Sequence, residues 1–115
     1  MSFMVKLYQY KAKILSVYDG DTCTALVDLG FNTFRKIKIR LVGINTPELK
    51  SKDLRERLKA KAARNRLKEL VLGKDVYIIS HGKGKYGRWL CDMYLQDGTH
   101  INKLLLKEGY AVKYP

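Results

Sequence analysis

The run Arg40-Leu41-Val42-Gly43-Ile44-Asn45-Thr46-Pro47-Glu48 decides how this chain is read. Residues 33–42 alternate: Arg35, Ile37, Ile39 and Leu41 fall on one face, and Phe34, Lys36, Lys38, Arg40 and Val42 on the other. That is the period of a half-buried strand. Ile37, Ile39 and Leu41 are the expected core, which leaves Arg40 on the more polar face. Pro47 has no backbone N–H and biases Thr46 away from helical backbone, so the strand should stop here. Strand ends that open into loops are common sites for active groups on a rigid scaffold. This one gathers a planar cationic fork (Arg40), hard oxygen donors (Asn45 and the Thr46 carbonyl) and a carboxylate (Glu48).

Upstream, residues 6–18 read as a long first strand and residues 22–29 as a second. Asp19-Gly20-Asp21 lies between them as a hairpin turn whose glycine supplies positive φ. Gly30-Phe31-Asn32 makes the next turn. Downstream, from Ser51, the period becomes helical, with Leu54, Leu58, Ala62, Leu67, Leu70 and Val71 as the apolar stripe. Ser51 or Asp53 caps its start and Gly73 its end. Residues 76–80 form a short fourth strand, residues 81–87 a flexible basic loop, and residues 88–95 a fifth strand. A second short helix covers residues 101–108, with Leu104 and Leu105 inward. Three strands, a helix, two strands and a helix predict a mainly β domain: a five-stranded barrel of the OB type.

At 115 residues the chain is expected to form a single domain with one modest core. Its 23 Lys and Arg against 11 Asp and Glu give a net charge of +12, which favours a polyanionic partner. No stretch reaches the apolar length of a membrane span. Residues 1–8 show no leader-like apolar core, so the chain as written reads as cytoplasmic, or as secreted if it is a mature fragment. Cys23 and Cys91 stand alone in apolar strand patterns and are expected as buried free thiols, not a zinc site.

Three segments carry the chemistry: Asp19-Gly20-Asp21-Thr22, the run from Arg40 to Glu48, and Lys85-Tyr86-Gly87-Arg88. Each alone is an ordinary turn, helix entry or loop end. Together, in this order in a basic barrel pattern, they resemble the staphylococcal nuclease (thermonuclease) family from about residue 6 to residue 111. The resemblance implies a nuclease-type OB barrel and calcium-dependent hydrolysis of DNA or RNA phosphodiesters, leaving 3′-phosphates. It implies that Asp21, the residue at position 45 and the Thr46 carbonyl hold Ca²⁺, and that Glu48 acts as general base. It implies that Arg40 and Arg88 grip the scissile phosphate, and that Lys85 and Tyr86 contact a neighbouring one. A phosphodiester is shielded by its own charge, so guanidinium forks and a hard cation suit its attack.

The chain departs from the family pattern in places. Asn45 stands where a second metal-binding Asp is usual, which removes one negative charge and implies weaker calcium binding. Gly84 stands where the family loop commonly has Asp, implying altered loop flexibility. The chain stops at Pro115, so the family's third, C-terminal helix is expected to be lacking. Tyr114 is read equally as a base-stacking aromatic or as terminal packing. Lys59, Lys61, Arg64, Arg66 and Lys68 read as a solvated helix face. His81 and His100 are expected to be solvated rather than catalytic. A monomer acting on nucleic acid is the resulting expectation. The alternatives are a nucleic-acid-binding module with little catalysis and, less favoured, a protein-interaction domain.

Overall fold

The computed structural model describes residues 7–115. The reading of residues 1–6 as lacking a leader, and of Lys6 as strand, lies outside them. Five strands close a barrel in the order β1 (Gln9–Asp19), β2 (Thr22–Asp28), β3 (Phe34–Leu41), β6 (Trp89–Tyr94) and β5 (Asp75–Lys83). Every pairing is antiparallel except β3 with β6, where Ile39, Arg40 and Leu41 lie beside Trp89, Leu90 and Cys91. Closure leaves none of the five with an unpaired edge. The alternation predicted for β3 holds, with Ile39 and Leu41 buried and Ile37 partly so. Ala12, Ile14, Ala25, Val27, Val76, Ile78, Cys91 and Met93 complete the inward face.

Helices α1 (Leu54–Val71) and α2 (Ile101–Lys107) add Leu67, Leu70, Val71, Ile101 and Leu105 to the same core. The Asp53 carboxylate accepts from the Arg55 N–H at 3.0 Å, a side-chain cap that starts α1. The predicted α1 stripe is wrong in its first half. Leu54, Leu58 and Ala62 are exposed, and Ala60 and Ala63 face inward instead. The reason is contact distance: Ala63 packs against the β1–β2 turn, where only a methyl-sized group fits.

That turn also corrects the reason given for its glycine. Gly20 does not have positive φ. A Cβ there would lie 2.7 Å from the Ala63 Cβ and 2.8 Å from the Thr46 Cγ2, so the glycine serves close approach. Two short strands escaped the sequence reading. β4 (Ile44–Asn45) pairs with β7 (Val112–Lys113), and two-residue strands carry no detectable period. The 81–87 loop is shorter than expected, because β5 continues through His81, Gly82 and Lys83.

Candidate nucleic-acid active site

The β1–β2 turn, the end of β3, β4 and the start of β6 meet at one end of the barrel. Asp21 is the hub and is only 5% exposed. Its Oδ2 accepts from the Thr46 N–H at 3.0 Å and the Thr46 hydroxyl at 3.1 Å, and lies 3.3 Å from the Arg40 Nη1. Its Oδ1 accepts from the Thr22 hydroxyl at 3.0 Å, and the Thr22 Oγ1 in turn takes a long contact from the Arg88 Nη1 at 3.4 Å. Asp21, Thr46, Arg40 and Arg88 are thus brought to one place.

The two arginines are not equivalent. Arg40 Nη1 donates to the Leu41 and Ile44 carbonyls, both at 2.9 Å, and its Nη2 reaches the Asn45 Oδ1 at 3.3 Å. It therefore pins the turn that presents Asn45 and Thr46. Arg88 is far less engaged, and its buried Nε has no hydrogen-bond partner among the described residues. A buried donor without an acceptor costs free energy, and an anionic oxygen would satisfy it. Beside Arg88 opens a cavity of about 550 Å³ lined by Tyr18, Thr22, Lys38 and Tyr86 among others. Tyr86 takes positive φ, is exposed, and its ring lies 5.7 Å from the Arg88 guanidinium carbon.

Glu48 follows Thr46 by two residues on the segment leading to α1. It is exposed, and its carboxylate makes no hydrogen bond or ion pair among the described residues. Lys85 is likewise exposed on the 3₁₀ turn Lys85–Gly87. These two are not tied to the Asp21 cluster. Tyr114 is placed near it: its N–H donates to the Gly43 carbonyl at 2.9 Å, and its ring lies 5.7 Å from the Arg40 guanidinium carbon.

One carboxylate was missed. The Asp19 Oδ1 accepts the Asp21 N–H at 3.0 Å. Burial, followed by hydrogen bonding and repulsion from Asp21, pushes the Asp19 pKa up to about 6. The signal was present in Asp-Gly-Asp, which sets two carboxylates across a tight turn, but Asp19 was read as turn chemistry alone. Gly84 also needs a new reason. Its φ of −90° is ordinary, and a Cβ there would meet the Leu90 side chain at 3.1 Å. Packing, not flexibility, explains it.

The histidines are not simply solvated, since the Nε2 atoms of His81 and His100 each lie 2.7 Å from an Asp92 oxygen. Arg66 is not a free surface cation either. It forms a two-pronged pair with Glu108 at 2.7 and 2.9 Å, joining α1 to α2. Cys23 and Cys91 are free and buried, and burial pushes both thiols up to about 12.

A closed five-stranded barrel thus gathers a carboxylate pair and two arginines at one end. The chain belongs to the staphylococcal nuclease family: residues 38–115 match the family model described as "Staphylococcal nuclease homologue". It is 30% identical over 102 residues to an "Uncharacterized endonuclease" of Escherichia coli O157:H7, covering 89% of this chain and 60% of that protein. It is 38% identical over 77 residues to the "Probable staphylococcal-like nuclease CAN3" of Oryza sativa subsp. japonica, covering 67% of this chain and 19% of that one. An uncharacterized Bacillus anthracis protein is 33% identical over 105 residues, covering 89% and 46%. The chain therefore spans less than two thirds of the length of these relatives. No described helix is long and apolar enough to cross a membrane.

Proposed function

We propose that this chain is a calcium-dependent nuclease domain that hydrolyses phosphodiester bonds of DNA or RNA with little sequence specificity. The observation that carries the reading is the pairing of a partnerless Arg88 Nε with a carboxylate hub, Asp21, at the same end of the barrel. The names of the relatives, which include endonuclease and staphylococcal-like nuclease, support it.

The donors suit a hard divalent cation. Among the described residues no three His, Cys, Asp or Glu side chains form a metal cluster. The available set is instead all oxygen, from Asp19, Asp21, Asn45 and the Thr46 carbonyl, which is the chemistry calcium takes. Burial, and then hydrogen bonding and repulsion from Asp21, raise the Asp19 pKa, and a cation beside the pair would favour its charged form. Asp21, Thr46 and Asn45 would hold the ion, with Asp19 behind them, and the ion would supply charge neutralisation at a phosphoryl oxygen.

The chain's own residues perform the rest. Arg88 binds non-bridging phosphate oxygens through its free Nε and Nη2, and these contacts strengthen as charge builds in the transition state. Arg40 holds the 41–44 turn and presents its remaining donor edge to the same phosphate. Lys85 and Tyr86 bind the adjoining nucleotide. Glu48, exposed and unpaired, takes the proton from the attacking water, a contribution of about 10²–10⁴-fold. The water oxygen bonds to phosphorus, the bond to the 5′-oxygen breaks, and that oxygen takes up a proton, leaving a 3′-phosphate.

A second reading, a binding module with little catalysis, is favoured by Asn45, whose amide oxygen faces Arg40 and brings no charge. Plasmid relaxation with calcium against chelator separates the two. Calcium-dependent nicking that Glu48→Gln reduces at least 10²-fold supports the nuclease. Salt-sensitive binding without nicking, restored to activity by Asn45→Asp, supports the module.

A further inference from the structure

Toward the start of β3, lined by residues other than those around Asp21, lies a second cavity of about 260 Å³. Tyr8, Tyr10, Leu29, Arg35, Ile37 and Trp89 are among its walls, and no Asp or Glu lines it. Arg35 shares the β3 face of Ile37 and Ile39 but is exposed, at the rim of the cavity. Its guanidinium lies 5.6 Å from the Trp89 ring centroid, and the Lys83 ammonium lies 5.9 Å from the same ring. Neither cation belongs to an ion pair among the described residues. Beside the cavity, the β2–β3 turn holds Phe31 fully exposed in a left-handed conformation, with Phe34 also exposed.

Two exposed cations without ion-pair partners among the described residues, both over the Trp89 ring beside an apolar cavity, suit a ligand with a flat π face and an attached anion. We propose that this cavity is a subsite for a flanking base of single-stranded nucleic acid, which stacks on Trp89 while its phosphates meet Arg35 and Lys83. This rests on the proposed nucleic-acid substrate and extends it to a second contact. Five residues of β3 separate Arg35 from Arg40, about 16 Å at strand rise. That is roughly five stacked nucleotides, within the roughly 4–16 that one OB barrel covers. Lys36 and Lys38 line the path on the outward face of β3. A hydrophobic peptide would leave both cations unmatched.

Trp89 is the only tryptophan in the chain and reports directly on this cavity. The intact chain, in chelator to prevent hydrolysis, is titrated with a deoxythymidine octamer and with thymidine 3′,5′-bisphosphate. The octamer should change Trp89 emission and the bisphosphate should not. With an end-labelled octamer, Trp89→Leu should weaken binding roughly 5- to 150-fold. Arg35→Gln, at the rim and safe for folding, should weaken it and lower the salt slope by about one. In turnover, both should raise KM for the octamer more than for a dinucleotide. An octamer that leaves Trp89 emission unchanged overturns the subsite, even if the chain cuts DNA. An emission change in chelator, with no hydrolysis of the octamer once calcium is supplied in excess, keeps the subsite and removes the nuclease reading. A response to anionic vesicles but not to the octamer, or one that tracks self-association alone, overturns it in favour of those partners.

Discussion

Where α2 meets β6, every buried polar group has a partner. Asn102, 3% exposed, accepts the Met93 N–H at 3.0 Å and donates to the Val42 and Cys91 carbonyls at 2.9 and 3.2 Å. Asp92 beside it engages both histidines, and His100 stacks on Tyr94 with centroids 4.5 Å apart. At the β1–β2 turn the accounts stay open. Burial, with repulsion from Asp21, raises the Asp19 pKa to about 6, and the buried Arg88 Nε has no hydrogen-bond partner among the described residues. Both regions are polar and both knit distant segments together. The first is complete without a ligand, so its groups contribute stability. The second leaves a buried donor that an anionic ligand could satisfy, as expected if it is the proposed binding site.

Arg88→Lys sharpens this contrast most. It should lower kcat by about 10²–10³-fold, the usual cost of a lost transition-state donor. Its thermal midpoint should stay within a degree or two, because the lost Nε satisfies nothing in the fold; a large drop in melting temperature would reverse the assignment. Asn102→Leu is the mirror experiment. It removes the acceptor of the Met93 N–H and a donor to the Val42 carbonyl, while the Cys91 carbonyl keeps the Val42 N–H, and should cost about 2–3 kcal/mol, or roughly 10 °C or more in midpoint, measured by thermal unfolding. Gly20→Ala falls between them. Its methyl must displace Ala63 or Thr46, so a loss of about 1–3 kcal/mol should accompany a fall in activity.

Asp19 offers a smaller, pH-dependent test. Its folded pKa lies above the ordinary aspartate value of 3.8, so folding favours the protonated form. The metal-free chain should therefore gain stability from this group as pH falls through about 6 towards 4, and lose it as pH rises again. Calcium affinity should move the opposite way, weakening below pH about 6. Asp19→Asn should flatten both trends, read by unfolding and calcium titration at stepped pH. Least dramatic is the thiol test. With Cys23 and Cys91 buried and pushed up to about 12, neither should react with a thiol reagent at pH 8 until the chain unfolds.

The barrel was legible because its strands are five or more residues long and alternate cleanly, as Ile37, Ile39 and Leu41 do. The β4–β7 pair was not, since two residues have no period and their partner lies near the far terminus. Leu54 and Leu58 misled because helical periodicity identifies a stripe without saying how closely its neighbour approaches. Gly20 and Ala63 in contact set that distance, and no local pattern encodes it. For the site, motif order brought forward Asp21, Thr46, Arg40 and Arg88, which the fold gathers. Arg40's occupation by backbone carbonyls and Asp19's burial depend on segments distant in sequence. So does the pairing of His81 and His100 across Asp92.

Calcium and a phosphate should complete the Asp21–Arg88 cluster together. Titration calorimetry of calcium into the intact chain, with and without thymidine 3′,5′-bisphosphate, addresses it without depending on turnover. The account predicts weak calcium binding alone, because Asn45 brings no charge, and clearly tighter binding when the bisphosphate is present. Calcium binding that is undetectable in both titrations, or identical in both, would contradict it.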